Sequence, residues 1–266
     1  MDVTSTAKQN DSSFLVKLPV EIRYQIYELI FGDKVIAFML SGGPKLRHCV
    51  CPSKGRKYHF LSYKIQDGSW CECVTHDKDP TSRKRLPILL TCRQIYSESV
   101  DILWSHSSIH LQIMDSSDFR ILSDIRSAIP PRSFHAIRSL EISFLHACLD
   151  RRIQILDEEW FDQWTGLWDV IKCMKGLLHV QAWVKMDQES GNMMTADQEA
   201  RLFTPLMELG WIQDFKVEGT WPGIGGSESL LPGAPFQVTR NDDPIPEKPE
   251  LVMETVTCSM PVTCID

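Results

Sequence analysis

This chain of 266 residues lacks any stretch approaching the roughly 18 consecutive apolar residues of a membrane-crossing helix, so no membrane partner is expected. Residues 1–13 are polar and hold no apolar run, so no signal peptide is expected. The motifs of common catalytic sites are also missing. There is no Gly-x-Ser-x-Gly, Gly-Lys-Ser/Thr or His-Glu-x-x-His. Gly223-Ile-Gly-Gly226 lies among prolines and opens no helix, so it is not a phosphate loop. With no constellation to carry chemistry, no catalytic residue, cofactor or enzyme activity is expected. Positive charge is in short supply: 28 Lys and Arg face 35 Asp and Glu, a net charge of −7, which argues against a nucleic-acid partner. Cysteine is present, but a regular cysteine framework is not. Nine cysteines at irregular spacing fit reduced thiols in the cytoplasm or nucleus.

What remains is ordinary globular material, 43% hydrophobic and 24% charged, enough for a core of useful size. Two apolar segments stand out, Phe14 to Phe31 and Leu86 to Trp104. The first predicts a helix over 19–31, opened by Pro19 in a first turn, where its missing N–H needs no partner, and ended by Gly32. Ile22, Ile26, Leu29 and Ile30 share one face of it, and Tyr24, Tyr27 and Phe31 a second. Glu21, Gln25 and Glu28 leave only a narrow polar stripe, which implies neighbours on two sides. In the second segment Leu89, Cys92, Tyr96, Val100 and Leu103 recur at spacings of three and four, with Ile88, Ile95 and Ile102 widening that side. Arg93 is expected to pair with Glu21 or Glu28 and lock the two helices together.

Between them, residues 35–40 read as a strand and residues 41–85 as a loop-rich, basic insertion, with ten Lys or Arg against four acids. The run Arg83-Lys84-Arg85 in it reads as a solvated loop. Cys49, Cys51, Cys71 and Cys73, with His48, His59 and His76 nearby, have the donors for a tetrahedral zinc site. The Cys-x-Cys spacing is tighter than zinc sites usually use, however, and reduced cysteines on a hairpin explain it equally well. No metal is therefore assigned.

Beyond residue 104 the pattern changes. Ile109, Leu111 and Ile113 alternate with polar residues like a half-buried strand. Ser116 or Ser117 can cap a helix carrying Phe119, Leu122, Ile125 and Ile129, which Pro130-Pro131 stops. Three segments of related wording follow, beginning at Ile137, Leu177 and Ile212, each with apolar residues at its first, fourth and sixth positions and starting 40 and 35 residues apart. Helical stretches lie between them. One, from near Asp157 to Lys175, carries Trp160, Trp164 and Trp168 on what reads as a buried face. The other opens on Thr195 and Gln198 in capping-box spacing, and Pro205 should kink or shorten it. Strand, crossover helix and strand at this spacing imply parallel neighbours and about four stacked, irregular βα units. From residue 219 onward prolines and glycines accumulate, reading as a mobile tail in which residues 251–262 are β-prone and can pair with an edge strand.

Leu18-Pro-Val-Glu-Ile-Arg-Tyr-Gln-Ile-Tyr-Glu-Leu29 together with Leu89-Leu-Thr-Cys-Arg-Gln-Ile-Tyr-Ser-Glu98 resembles an expanded, largely uncharacterised fungal family of F-box-like proteins, and Ile137-Arg-Ser-Leu140 extends the likeness. The resemblance implies an adaptor. Its helical module would dock a Skp-type linker of a cullin ubiquitin ligase through Leu18, Pro19, Ile22, Ile26 and Tyr27, and residues from Ile109 on would recognise a client. A compact F-box has no insertion between its halves, so residues 41–85 are a departure from the family's pattern. The expected architecture is α+β: residues 1–13 disordered, an F-box-like module over 14–104 interrupted at 41–85, leucine-rich-repeat-like βα units with a small parallel sheet over 105–218, and a tail over 219–266. The alternative is a standalone scaffold or regulatory protein, zinc-stabilised or not, whose F-box-like helices are structural only.

Overall fold

The computed structural model describes residues 13–32, 34–40, 46–51, 86–89, 91–113, 116–145, 157–185, 195–219, 221 and 233–240. A short helix α1 (Ser13–Lys17) leads through Leu18 and Pro19 into α2 (Val20–Phe31). Gly32 ends α2 with extended backbone. A Cβ there would run into the carbonyl of Glu28, so close approach rather than left-handed geometry selects glycine. The hairpin partners β1 (Val35–Leu40) and β2 (Leu46–Cys51) follow, then α3 (Leu86–Leu89) and α4 (Arg93–His106). Cys92 is the N-cap of α4, and its Sγ accepts from the Ile95 N–H at 3.4 Å.

The remaining elements alternate. β3 (Ser108–Ile113) is followed by a 3₁₀ turn (Ser116–Arg120) running into α5 (Ile121–Ala128). α6 (Pro131–Ala136) starts on Pro131, which stops one helix and opens the next because a first-turn position needs no N–H. Then come β4 (Ser139–Leu145), α7 (Glu158–Lys172), β5 (His179–Lys185), α8 (Ala196–Met207), β6 (Asp214–Gly219) and β7 (Gln237–Arg240). Asp157 caps α7 through the Trp160 N–H, and Thr195 and Gln198 form the expected capping box of α8. α8 runs through Pro205 and ends two residues later.

The chain is thus a mixture of helices and strands built on a mainly parallel sheet. Its order is β2-β1-β3-β4-β5-β6-β7, parallel throughout except for the antiparallel β1–β2 pair. The three reworded segments lie in register: Leu140 sits beside Val180 and Val180 beside Phe215, so their fourth positions form one row. The strands begin two residues later than the wording, and Ile137, Leu177 and Ile212 are buried just before them. One sheet face carries Ile36, Phe38, Ile109, Leu111, Ile142, Val180 and Val217 into a continuous core with Trp104, Ile125, Trp164, Trp168 and Phe203 from the helices. Trp160, Trp164 and Trp168 are buried in it as expected, and the Trp164 Nε1–H donates to the Leu202 carbonyl at 2.9 Å.

Three expectations change. β3 is buried along its whole length rather than on one face, and it lies inside the sheet, paired with β1 on one side and β4 on the other. The sheet crosses the boundary expected at residue 104, since β1 pairs with β3. Part of the expected tail is structured: Trp221 and Phe236 join the core, and β7 pairs with β6. Residues 251–262 lie outside the described residues. No helix among the described residues is long and apolar enough to cross a membrane.

Candidate functional site

The N-terminal helices form a second, smaller core of Tyr27, Phe31, Leu89 and Ile95. The period of α2 explains its inner edge, since Arg23, Tyr27 and Phe31 recur every four residues and are the buried side chains of this helix. Arg23 is buried because each of its three side-chain nitrogens has an acceptor. Its Nε and Nη2 grip Glu98 of α4 at 2.9 and 2.7 Å, and its Nη1 donates to the Leu18 carbonyl at 2.7 Å and the Leu15 carbonyl at 3.3 Å. The Tyr27 hydroxyl donates to the same carboxylate at 3.1 Å, as does the Gln94 amide at 2.9 Å. The Arg23 hydrogen bonds hold the Glu98 carboxyl below its usual range. Burial, reinforced by the hydrogen bond to Glu98, pushes the Tyr27 hydroxyl up to about 12.

This cluster fastens α1, α2 and α4 together with the charges reversed from the expected lock. The cation comes from the first segment and the anion from the second, whereas Arg93 is exposed. A weaker contact joins His106 to Glu28 at 3.6 Å. The module is tied to the sheet as well. The Ser107 hydroxyl donates to the Phe31 carbonyl at 3.3 Å, and Val100 and Trp104 of α4 belong to the main core.

With its inner edge anchored, α2 leaves apolar side chains outside. Ile22 is 41% exposed and Leu29 83%, and Ile26, half-buried, lies between them at helical spacing. Val16, Val20, Tyr24 and Tyr96 are exposed on the same module. Six of the eight large hydrophobic residues that are exposed among the described residues therefore belong to these helices, the others being Met207 and Trp211. Of the expected linker-facing residues, Pro19 and Ile22 are exposed and Leu18 and Ile26 half-buried. Tyr27 differs: with none of its surface exposed it is a core residue, because the i+4 row from Arg23 to Phe31 turns inward. Tyr96 likewise faces outward, and Ile95, Ser99, Val100 and Trp104 form the buried side of α4.

A second cluster lies on the other face of the sheet. His110 sits between Glu141, whose Oε2 is 3.3 Å from Nδ1, and Ser143, whose Oγ is 3.1 Å from Nε2, and its ring stacks on Trp183 at 5.8 Å. Ser108 and Ser139 pair alongside at 2.6 Å. The Ser–His–carboxylate order is the one used in nucleophilic catalysis. Here His110 and Ser143 have no exposed surface, and Ser143 lies within a strand paired on both sides, so the neighbouring backbone N–H groups are committed to the ladder rather than to an oxyanion hole. Sequence reading missed this cluster because its members, at alternate positions of β3 and β4, look like the solvent side of a strand.

Of the zinc candidates, Cys49 and Cys51 lie on β2, whereas Cys71, Cys73, His59 and His76 fall outside the described residues. No group of potential metal ligands occurs among the described residues.

No curated protein and no solved structure matches the chain. One family model does match, over residues 7–228, and its description is a domain of unknown function, DUF7730. That span takes in both N-terminal helices, the sheet from β1 to β6 and both cores' main elements, and the chain belongs to this DUF7730 family.

Proposed function

We propose that the chain is a non-enzymatic interaction adaptor. Its N-terminal helices form an F-box-like module that docks a Skp-type linker, and its βα units, leucine-rich-repeat-like in their one-by-one strand order, present a client to a cullin-type ubiquitin ligase in the cytoplasm or nucleus. The observation that carries the reading is the outer stripe of α2: Ile22, Ile26 and Leu29 stand at the i, i+4, i+7 spacing of a helix laid on an apolar partner, on a helix that the Arg23–Glu98 pair holds rigid. The strand order adds support, because from β3 to β7 each strand of the described sheet lies beside the one before it, with no reversal of the kind at which open parallel sheets hold small ligands.

One observation favours a second reading, a standalone scaffold whose helices only cap the sheet: α4 is shared between the two cores, as a capping helix would be. Capture of a purified Skp-type linker by the full chain discriminates. Wild type should bind and the Ile22→Asp, Leu29→Asp double variant should lose binding by more than about 100-fold, the loss of two apolar anchors, with its melting temperature unchanged. Absence of binding by folded wild type supports the scaffold.

A further inference from the structure

β7 lies past the end of the family match at residue 228, yet it completes the described sheet and its neighbours enter the main core. Its attachment has three parts. Gln237 to Arg240 pair with Lys216 to Gly219 of β6 over only four residues. Phe236 inserts its ring between Phe203 and Phe215, with centroids 5.6 and 5.2 Å away. Arg240 then reaches Glu199 on α8, a carboxylate 2% exposed, with its guanidinium 5.6 Å from the ring centre of Trp221, whose Nε1–H donates to Glu199 at 2.9 Å. This last contact is one-sided. Arg240 and Trp221 both use Oε1 of Glu199, while Oε2 and the Arg240 Nη1 are buried with no hydrogen-bond partner. A guanidinium and a carboxylate fasten best through two parallel hydrogen bonds, and unpaired buried polar atoms weaken a contact.

We propose that the outer edge of β6 is an acceptor site for an extended peptide bearing an aromatic residue and an arginine four positions apart, and that residues 233–240 occupy it in cis as a releasable strand. The backbone edge supplies hydrogen bonds that any sequence can use. Selectivity comes from the slot between Phe203 and Phe215 for the aromatic ring and from Glu199 with Trp221 for the cation. The acceptor lies on β6 and α8, inside the family match, whereas its occupant lies outside the matched residues.

Amide hydrogen exchange on the full chain tests this. In Arg240→Met and in Glu199→Gln, amides of 214–219 and 237–240 should exchange about tenfold faster or more, while those of 108–113 and 139–145 keep their rates, the signature of a local opening. A peptide with the sequence of residues 233–240, added in excess to Arg240→Met, should restore protection at 214–219, and the same peptide with its arginine replaced by methionine should not. Unchanged exchange at 214–219, equal acceleration of every strand, or no effect of the peptide would each overturn the proposal. Should neither variant fold, wild type in low denaturant decides: amides of 237–240 opening before those of 108–113 support a releasable strand, and simultaneous opening contradicts it.

Discussion

A single carboxylate, Glu98, accounts for how two segments far apart in sequence become one module. It accepts from Arg23, Tyr27 and Gln94, so its removal leaves a guanidinium and a phenol largely buried without their acceptor. Glu98→Ala should destabilise the chain by about 2–3 kcal/mol, as removing a charged acceptor from partly buried donors does, measured by denaturant unfolding. The sign of the pH effect follows from the lowered folded-state value. The contribution of Glu98 is fully present above the usual carboxylate range and is lost as pH falls through the lower folded value. Wild type should therefore lose more stability than Glu98→Gln between pH 5 and the acid limit. A lock joining the two helices was legible in the sequence, but its members were not. Arg23 sits four residues before Tyr27 on the inward row, and a helical-period reading that counts apolar residues alone passes over a cation whose nitrogens all find acceptors.

Among the elements, the βα units were the most readable. Their fourth and sixth apolar positions reappear as rows across β4, β5 and β6, because parallel pairing places equivalent residues side by side. The tryptophan spacing of α7 was readable for the same reason: side chains four apart share a helical face. Trp164 has a further duty in its bond to the Leu202 carbonyl, which couples α7 to α8. Trp164→Phe should destabilise by roughly 2–4 kcal/mol, combining a cavity with a lost acceptor partner, and the guanidinium unfolding midpoint reads it. One strand, β3, was half read, and another, β7, escaped the sequence. β3 alternates polar and apolar residues, yet His110 and Gln112 are buried inside the sheet. The four residues of β7 have too little apolar character, and prolines too close by, to announce a strand.

At the scale of the molecule, two cores meet along α4, which gives Ile95 to the smaller and Val100 and Trp104 to the larger. The division into module and βα units was therefore drawn too sharply by a sequence that shows only the insertion between the helices. β1 belongs to the sheet although it follows α2 directly, because a strand's partner is chosen by long-range pairing that local wording does not contain. The consequence for function is a helical module tied to the sheet, with apolar residues left outward on α2. Site-specific photo-crosslinking from positions 22 and 29 of the full chain, in the presence of a purified Skp-type linker, tests the docking claim most directly, with position 211 as a distant exposed control. Crosslinks to the linker are expected from 22 and 29 and none from 211; no crosslink from 22 or 29, or equal yields from all three positions, would contradict docking through α2.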